Sequence, residues 1–169
     1  MRFRQIDSIT ELVPGQRIVA RRTLRAEEDY LRDHFPHFPV MPGVMMLEAC
    51  YQAAMWMVRT GEDFAHPLVM MREVKQVKFG DFLAPGETLE ITAETVKEEG
   101  SRVTVKVVAR KGERTTVSAR LILEKQLTNF DPRLEADADI SSLARHQFKQ
   151  LFGELYNKLY PSEDRAASA

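Results

Sequence analysis

Three rhythms of apolar and polar positions run along this chain. Between Val44 and Val58 there is almost no alternation, and Glu48 is the only charge. A run apolar on nearly every face predicts a helix surrounded by protein rather than half solvated. Pro42-Gly43 opens it, and Thr60-Gly61 supplies a C-terminal stop. Around this run the period drops to two. Strands are predicted over 16–24 (QRIVARRTL), 68–79, 88–98, 102–110 and 115–125, with Val103, Val105 and Val107 alternating most cleanly. Turn signals separate them: Pro14-Gly15, Pro85-Gly86-Glu87, Glu99-Gly100-Ser101 and Lys111-Gly112-Glu113. From Ile140 to Tyr160 the spacing widens to that of an amphipathic helix, through Leu143/Ala144, Phe148, Leu151/Phe152, Leu155 and Leu159.

The last three strands, joined by short turns, form an antiparallel meander with one face buried. One buried helix after the first strand, followed by a meander, predicts a curved sheet wrapped around that helix. This is an α+β architecture. The expected organisation is one domain over 1–126, a polar linker over 127–138, a C-terminal amphipathic helix over 139–160 and a disordered tail over 161–169. The apolar stripe of that last helix has to be covered, by its own sheet or a neighbouring dimer. The mixed signs of Asp139, Arg145, Lys149, Glu154 and Lys158 argue against a membrane surface.

Composition narrows the classes. At 169 residues with 44% hydrophobic and 29% charged positions, the chain reads as a soluble globular unit. A net charge of −1 provides no global field toward nucleic acid or anionic membrane, and neither is expected as a partner. The longest apolar run falls short of the ~20 residues that span a bilayer. The N-terminal segment mixes charges into its apolar positions and shows no secretory core, so a cytoplasmic protein is expected. Cys50, the single cysteine, has no metal-ligand spacing around it and reads as a small core residue. No metal site is expected.

Candidate chemistry gathers around HFPHFPVMPGVMMLEA, residues 34–49. Pro36, Pro39 and Pro42 stiffen the loop that carries His34. Glu48 and Gln52 lie four apart on one helix face, so the amide can orient the carboxylate. Gly43 stands where the helix begins, and its N–H belongs to the unsatisfied first turn, which suits developing negative charge. His34 exchanges a proton near neutral pH. Acid, base and oxyanion donor are the inventory for removing a proton next to a carbonyl, although spacing alone does not bring them together.

The same stretch resembles the active-site segment of the FabZ-type 3-hydroxyacyl-[acyl-carrier-protein] dehydratases, approximately H-F-P-G-x-P-x-x-P-G-V-L-x-x-E-A-x-A-Q. The matches are His34, Phe35, Pro36, Pro39, Pro42, Gly43, Val44, Glu48, Ala49 and Gln52. VKFGDFLAPGE (77–87) is similar to the family's later strand and turn, and LVPGQRIVARRTL (12–24) to its opening strand; the likeness spans roughly 10–125. The resemblance implies a hotdog fold, an antiparallel sheet wrapped around a long central helix. It also implies a homodimer, or an oligomer of such dimers, with composite active sites taking histidine from one subunit and the acid from the other. His34 would be the general base at C2 of the thioester, Glu48 the acid at the departing hydroxyl, and Gly43 the donor to the carbonyl. No cofactor is implied, the substrate riding on the phosphopantetheine of acyl carrier protein in fatty acid biosynthesis. Glutamate at 48 favours this type over the related dehydratase/isomerase.

Two other functions use the same scaffold: a hotdog thioesterase, and a non-catalytic acyl-thioester-binding subunit. Individual residues also have plainer readings. Glu48 would be neutralised by burial or paired with an arginine across a dimer; Gln52 would fill the core; Gly43 would serve a tight helix entry. His37 replaces the family's glycine and puts a bulky ring beside the site, or packs the loop. The methionines at 41, 45, 46, 55, 57, 70 and 71 are core first and tunnel lining second. Arg21, Arg22, Arg25, Lys75 and Lys78 are the candidate docking surface for the acidic carrier protein.

Overall fold

The computed structural model describes residues 3–126 and 136–156. In chain order it contains β1 (Ser8–Val13), β2 (Arg17–Thr23), a 3₁₀ turn (Asp29–Arg32), α1 (Gly43–Gly61), β3 (Leu68–Phe79), β4 (Thr88–Glu99), β5 (Arg102–Lys111), β6 (Arg114–Gln126) and α2 (Ala136–Tyr156). The strands form one antiparallel sheet in the order β1-β2-β4-β5-β6-β3. Its inward rows, including Ile18, Leu89, Ile91, Val105, Val107 and Leu121, close over α1. Small residues on the sheet side of α1 (Ala49, Cys50, Ala53 and Ala54) let the helix sit close, and all four are fully buried. Burial pushes the Cys50 thiol up to about 12, which keeps it an inert core group.

Two sequence expectations need correction. A single strand was expected before the loop, and there are two, a hairpin turning at Pro14-Gly15. β1 escaped notice because a bulge between Ile9 and Glu11 breaks its period, and only Ile9 is fully buried. The enclosure of α1 is also one-sided. Val44 (69% exposed), Glu48, Tyr51, Gln52 and Met55 form a stripe that the sheet of its own chain leaves partly open.

The C-terminal end of α1 is tied down twice. Gly15, at φ +69°, donates its N–H to the Met57 carbonyl (3.0 Å), so the β1–β2 turn caps the helix. A methyl group built on Gly61 would lie 2.7 Å from the Gly15 Cα, and this contact requires a hydrogen there. Beside it, buried Lys125 reaches Glu62 (2.5 Å) and Glu98 (2.6 Å).

α2 begins at Ala136, three residues before the predicted start, and docks on its own chain. Phe148 and Phe152 join Trp56 and Phe64 in an aromatic cluster, with ring centroids 5.7–6.5 Å apart, and Leu155 is buried. Arg145 and Lys149 pair with Asp63. The rest of the expected linker, Leu159 and the tail fall outside the described residues. Among the described residues no helix is long and apolar enough to cross a membrane.

Candidate active site

His34 is positioned by a loop anchored at two points. Leu31 is buried in the core, and the Glu28 carboxylate lies against the Arg22 guanidinium (2.5 Å), which is 3% exposed at the end of β2. Between these anchors the 3₁₀ turn forms, and its Tyr30 carbonyl accepts the His34 N–H (3.0 Å). Burial, with Glu28 nearby, raises the Tyr30 phenol well above its usual range, so it stays neutral. Phe35 follows at φ +51°, a left-handed conformation that costs a bulky residue of order 1–3 kcal/mol. Its ring meets the His34 imidazole edge-on, with centroids 4.6 Å apart.

The loop then meets the connection between β3 and β4, where Met41 donates its N–H to the Leu83 carbonyl (2.8 Å), and α1 starts. The Pro42 carbonyl takes the N–H groups of Met45 (2.9 Å) and Met46 (3.2 Å). The Gly43 N–H lies one turn too early for an intrahelical partner. Gly43 also permits a close contact: a Cβ there would stand 3.0 Å from the Phe79 ring. His34 and Gly43 thus share a cleft of about 380 Å³, walled by Met46, Phe79 and Phe82. The walls are mostly apolar, with one imidazole and the Asp81 carboxylate among them, and beside a free helix-end donor they suit a carbonyl compound losing an adjacent proton.

Glu48 is elsewhere. Five residues past Gly43, it lies about 140° around the helix, on the partly open stripe. The Gln52 Nε2 donates to the Glu48 Oε1 (2.9 Å) and to the Phe3 carbonyl (2.9 Å), while its Oε1 accepts the Gln5 N–H (2.8 Å). Gln52 therefore orients the carboxylate and also holds the N-terminal segment. The single chain holds two separate groups, His34 with Gly43 and Glu48 with Gln52, and does not join them.

Other candidates are dispersed. His37 is exposed on a turn and does not line the cleft. Arg22 is buried in its ion pair and is no docking residue. Arg21, on β2, lies far across the sheet from Lys75 and Lys78 on β3. Lys75 is instead in register with Arg120, and Arg120 with Lys106, which makes a basic row on the outer face that residue order concealed. Phe79, Phe82, Glu28 and the Gln5 tether also went unassigned in the sequence. The alternation of β3 does not show that its last residue walls a cleft. Among the described residues no three histidine, cysteine or acidic side chains gather as a metal site.

The model of the FabA-like domain matches residues 1–120. The chain is 35% identical over 116 residues to a 3-hydroxyacyl-[acyl-carrier-protein] dehydratase FabZ from Levilactobacillus brevis, covering 69% of this chain and 78% of that one. It belongs to the FabA-like family, among the FabZ-type dehydratases. A FabZ from Clostridium tetani is 33% identical, over 69% of this chain and 82% of its own. Among solved structures, the dehydratase heterocomplex from Xenorhabdus doucetiae superposes with a TM-score of 0.57 at 12% identity, over 74% of this chain and 84% of that one. That likeness establishes the hotdog fold of this FabZ-type chain and nothing finer.

Proposed function

We propose that this chain dehydrates 3-hydroxyacyl thioesters carried on acyl carrier protein to trans-2-enoyl thioesters, in fatty acid biosynthesis. The observation that carries the reading is the cleft shared by the His34 imidazole and the Gly43 N–H in a chain of this family. The thioester carbonyl lies against the Gly43 N–H, where the helix dipole favours enolate character. His34 takes the proton from C2. Glu48 of a second copy protonates the hydroxyl at C3, which leaves as water, and Gln52 aims that carboxylate. The two protons return through solvent.

A second copy is needed because one chain holds the two half-sites on different faces of α1. β3 is a free sheet edge of twelve residues, and exposed Val44, Phe79 and Phe82 give that side an apolar patch. Both features favour pairing with another copy. The row of Lys75, Arg120 and Lys106 suits an acidic carrier protein. The chemistry needs no cofactor, and the cytoplasm is where such a carrier-borne substrate would be met.

The test is hydration of crotonyl thioester, followed by loss of its conjugated absorbance. His34→Ala and Glu48→Gln should each lower turnover by about 10²-fold or more while the fold survives. Mixing the two inactive variants under subunit exchange should restore some sites. Near wild-type hydration in either variant, no recovery on mixing, or release of free thiol in place of hydration would each defeat the reading.

A further inference from the structure

A primary amide carries an oxygen on one side and an NH2 on the other, nearly identical in shape, and its neighbours decide which way it faces. For Gln52 those neighbours are backbone. Gln5 donates its N–H to the Gln52 Oε1 (2.8 Å), and the Phe3 carbonyl accepts from the Nε2 (2.9 Å). A backbone N–H only donates and a carbonyl only accepts, so a flipped amide would lose both bonds. The second Nε2 hydrogen is thereby turned to the Glu48 Oε1 (2.9 Å). With Oε1 fixed as the accepting oxygen, Oε2 is the one left to carry a proton.

Asp7 holds that backbone in place. Ile6 before it is fully buried, and Gln5 is almost so. Asp7 donates its own N–H to the Arg21 carbonyl (2.8 Å), and its Oδ2 accepts the Thr23 N–H (2.7 Å). Its Oδ1 pairs with Arg25 (2.9 Å) and faces buried Arg22 (3.6 Å). The segment leading into β1 is thus pinned across the end of β2. Arg22 also grips Glu28 of the His34 loop (2.5 Å), and that pair stays in place when Asp7 is removed.

We propose that Asp7 is a positioning residue for the catalytic acid. It fixes the Phe3–Gln5 backbone, that backbone sets the Gln52 amide, and the amide presents the Glu48 Oε2 to the departing hydroxyl. The role rests on Glu48 acting as the acid at C3. An acid is used only as the C–O bond breaks, so a residue that aims it governs kcat and leaves KM alone.

The experiment compares two leaving groups. A 3-hydroxybutyryl thioester needs a proton on its oxygen for water to leave. A 3-chlorobutyryl thioester gives its C2 proton to His34 and releases chloride as the anion, forming the same enoyl thioester with no need of an acid. Asp7→Ala should lower kcat for the hydroxy substrate about tenfold at unchanged KM, and keep the chloro rate within about twofold of wild type. Asp7→Asn, which keeps an oxygen for the Thr23 N–H, should recover most of the lost kcat. Gln5→Pro deletes the donor to Gln52 while leaving Asp7 in place; it should show the same selective loss and decides the matter if Asp7→Ala unfolds. Equal loss on both substrates means general loosening and overturns the role, as does an undiminished hydroxy rate in the folded variants. If the wild type eliminates neither group, the assigned reaction fails. Slow hydrogen exchange of the Gln52 side-chain amide, present in wild type and lost in Asp7→Ala, then still supports the positioning, and its persistence in the variant overturns it.

Discussion

Replacing Gln52 with leucine removes an amide that makes three hydrogen bonds while keeping nearly its shape. The Gln5 N–H loses its acceptor in a residue only 3% exposed, and a buried donor left unpaired costs about 1–3 kcal/mol. The Phe3 carbonyl and the Glu48 carboxylate reach water and are partly compensated, at the low end of about 0.5–1.5 kcal/mol each. The sum is about 2–4 kcal/mol, a large share of a domain's stability. Urea unfolding should show it as a lower midpoint at constant slope, with faster amide exchange at Gln5. Gln52→Glu separates the two roles of the side chain. It keeps the acceptor for the Gln5 N–H but sets a second carboxylate beside Glu48. Like charges raise a carboxylate pKa in the folded state, so this variant should approach wild type near about pH 4 and weaken as pH rises above the carboxylate range. Unfolding of Gln52→Leu within about 0.5 kcal/mol of wild type, with Gln5 exchange unchanged, would refute the tether.

Gly61→Ala should cost about 1–3 kcal/mol, read by thermal or urea unfolding, because the new methyl group meets backbone that cannot rotate away. Arg22→Met should destabilise by about 3–5 kcal/mol by leaving Glu28 unpaired, while Arg22→Met with Glu28→Leu should regain most stability but not turnover, since the His34 loop loses an anchor; full activity in the double variant would end that role. The contribution of Lys125 has a pH window. Burial works against its charge, but Glu62 and Glu98 outweigh it, so its pKa rises from 10.5; burial likewise opposes the Glu62 charge, and Lys125 with His66 pulls that pKa below 4.5. The raised lysine loses its contribution as pH climbs through its folded pKa, and the lowered carboxylate loses its own on acidification. Lys125→Met should therefore be most damaging between those limits, and a flat difference in stability across pH would contradict the pairing. Lys149, with Arg145, lowers the Asp63 pKa, so docking of α2 is supported above the usual carboxylate range and lost as pH falls through the folded value; the emission of Trp56, the single tryptophan, should report that loss in wild type and show little of it in Asp63→Asn.

Period and punctuation were sufficient for most of the fold. The alternation of β5, the apolar run of α1 and the glycine turns each express a local choice of backbone, and such choices survive in a one-dimensional pattern. The H-F-P, P-G-V and E-A-x-x-Q spacing likewise made His34, Gly43, Glu48 and Gln52 legible as candidates. β1 was not legible, because its bulge spoils the period that would announce it. Distances across the fold were equally hidden. That Gln52 holds Gln5, that Glu28 lies on Arg22 and that Phe148 covers Arg59 depend on contacts between segments far apart in sequence, and no local pattern encodes them. The rotation of α1 decided the rest. One turn takes 3.6 residues, so five positions from Gly43 to Glu48 carry the carboxylate off the cleft face, and only the packed helix shows that His34 and Glu48 lie apart within one chain.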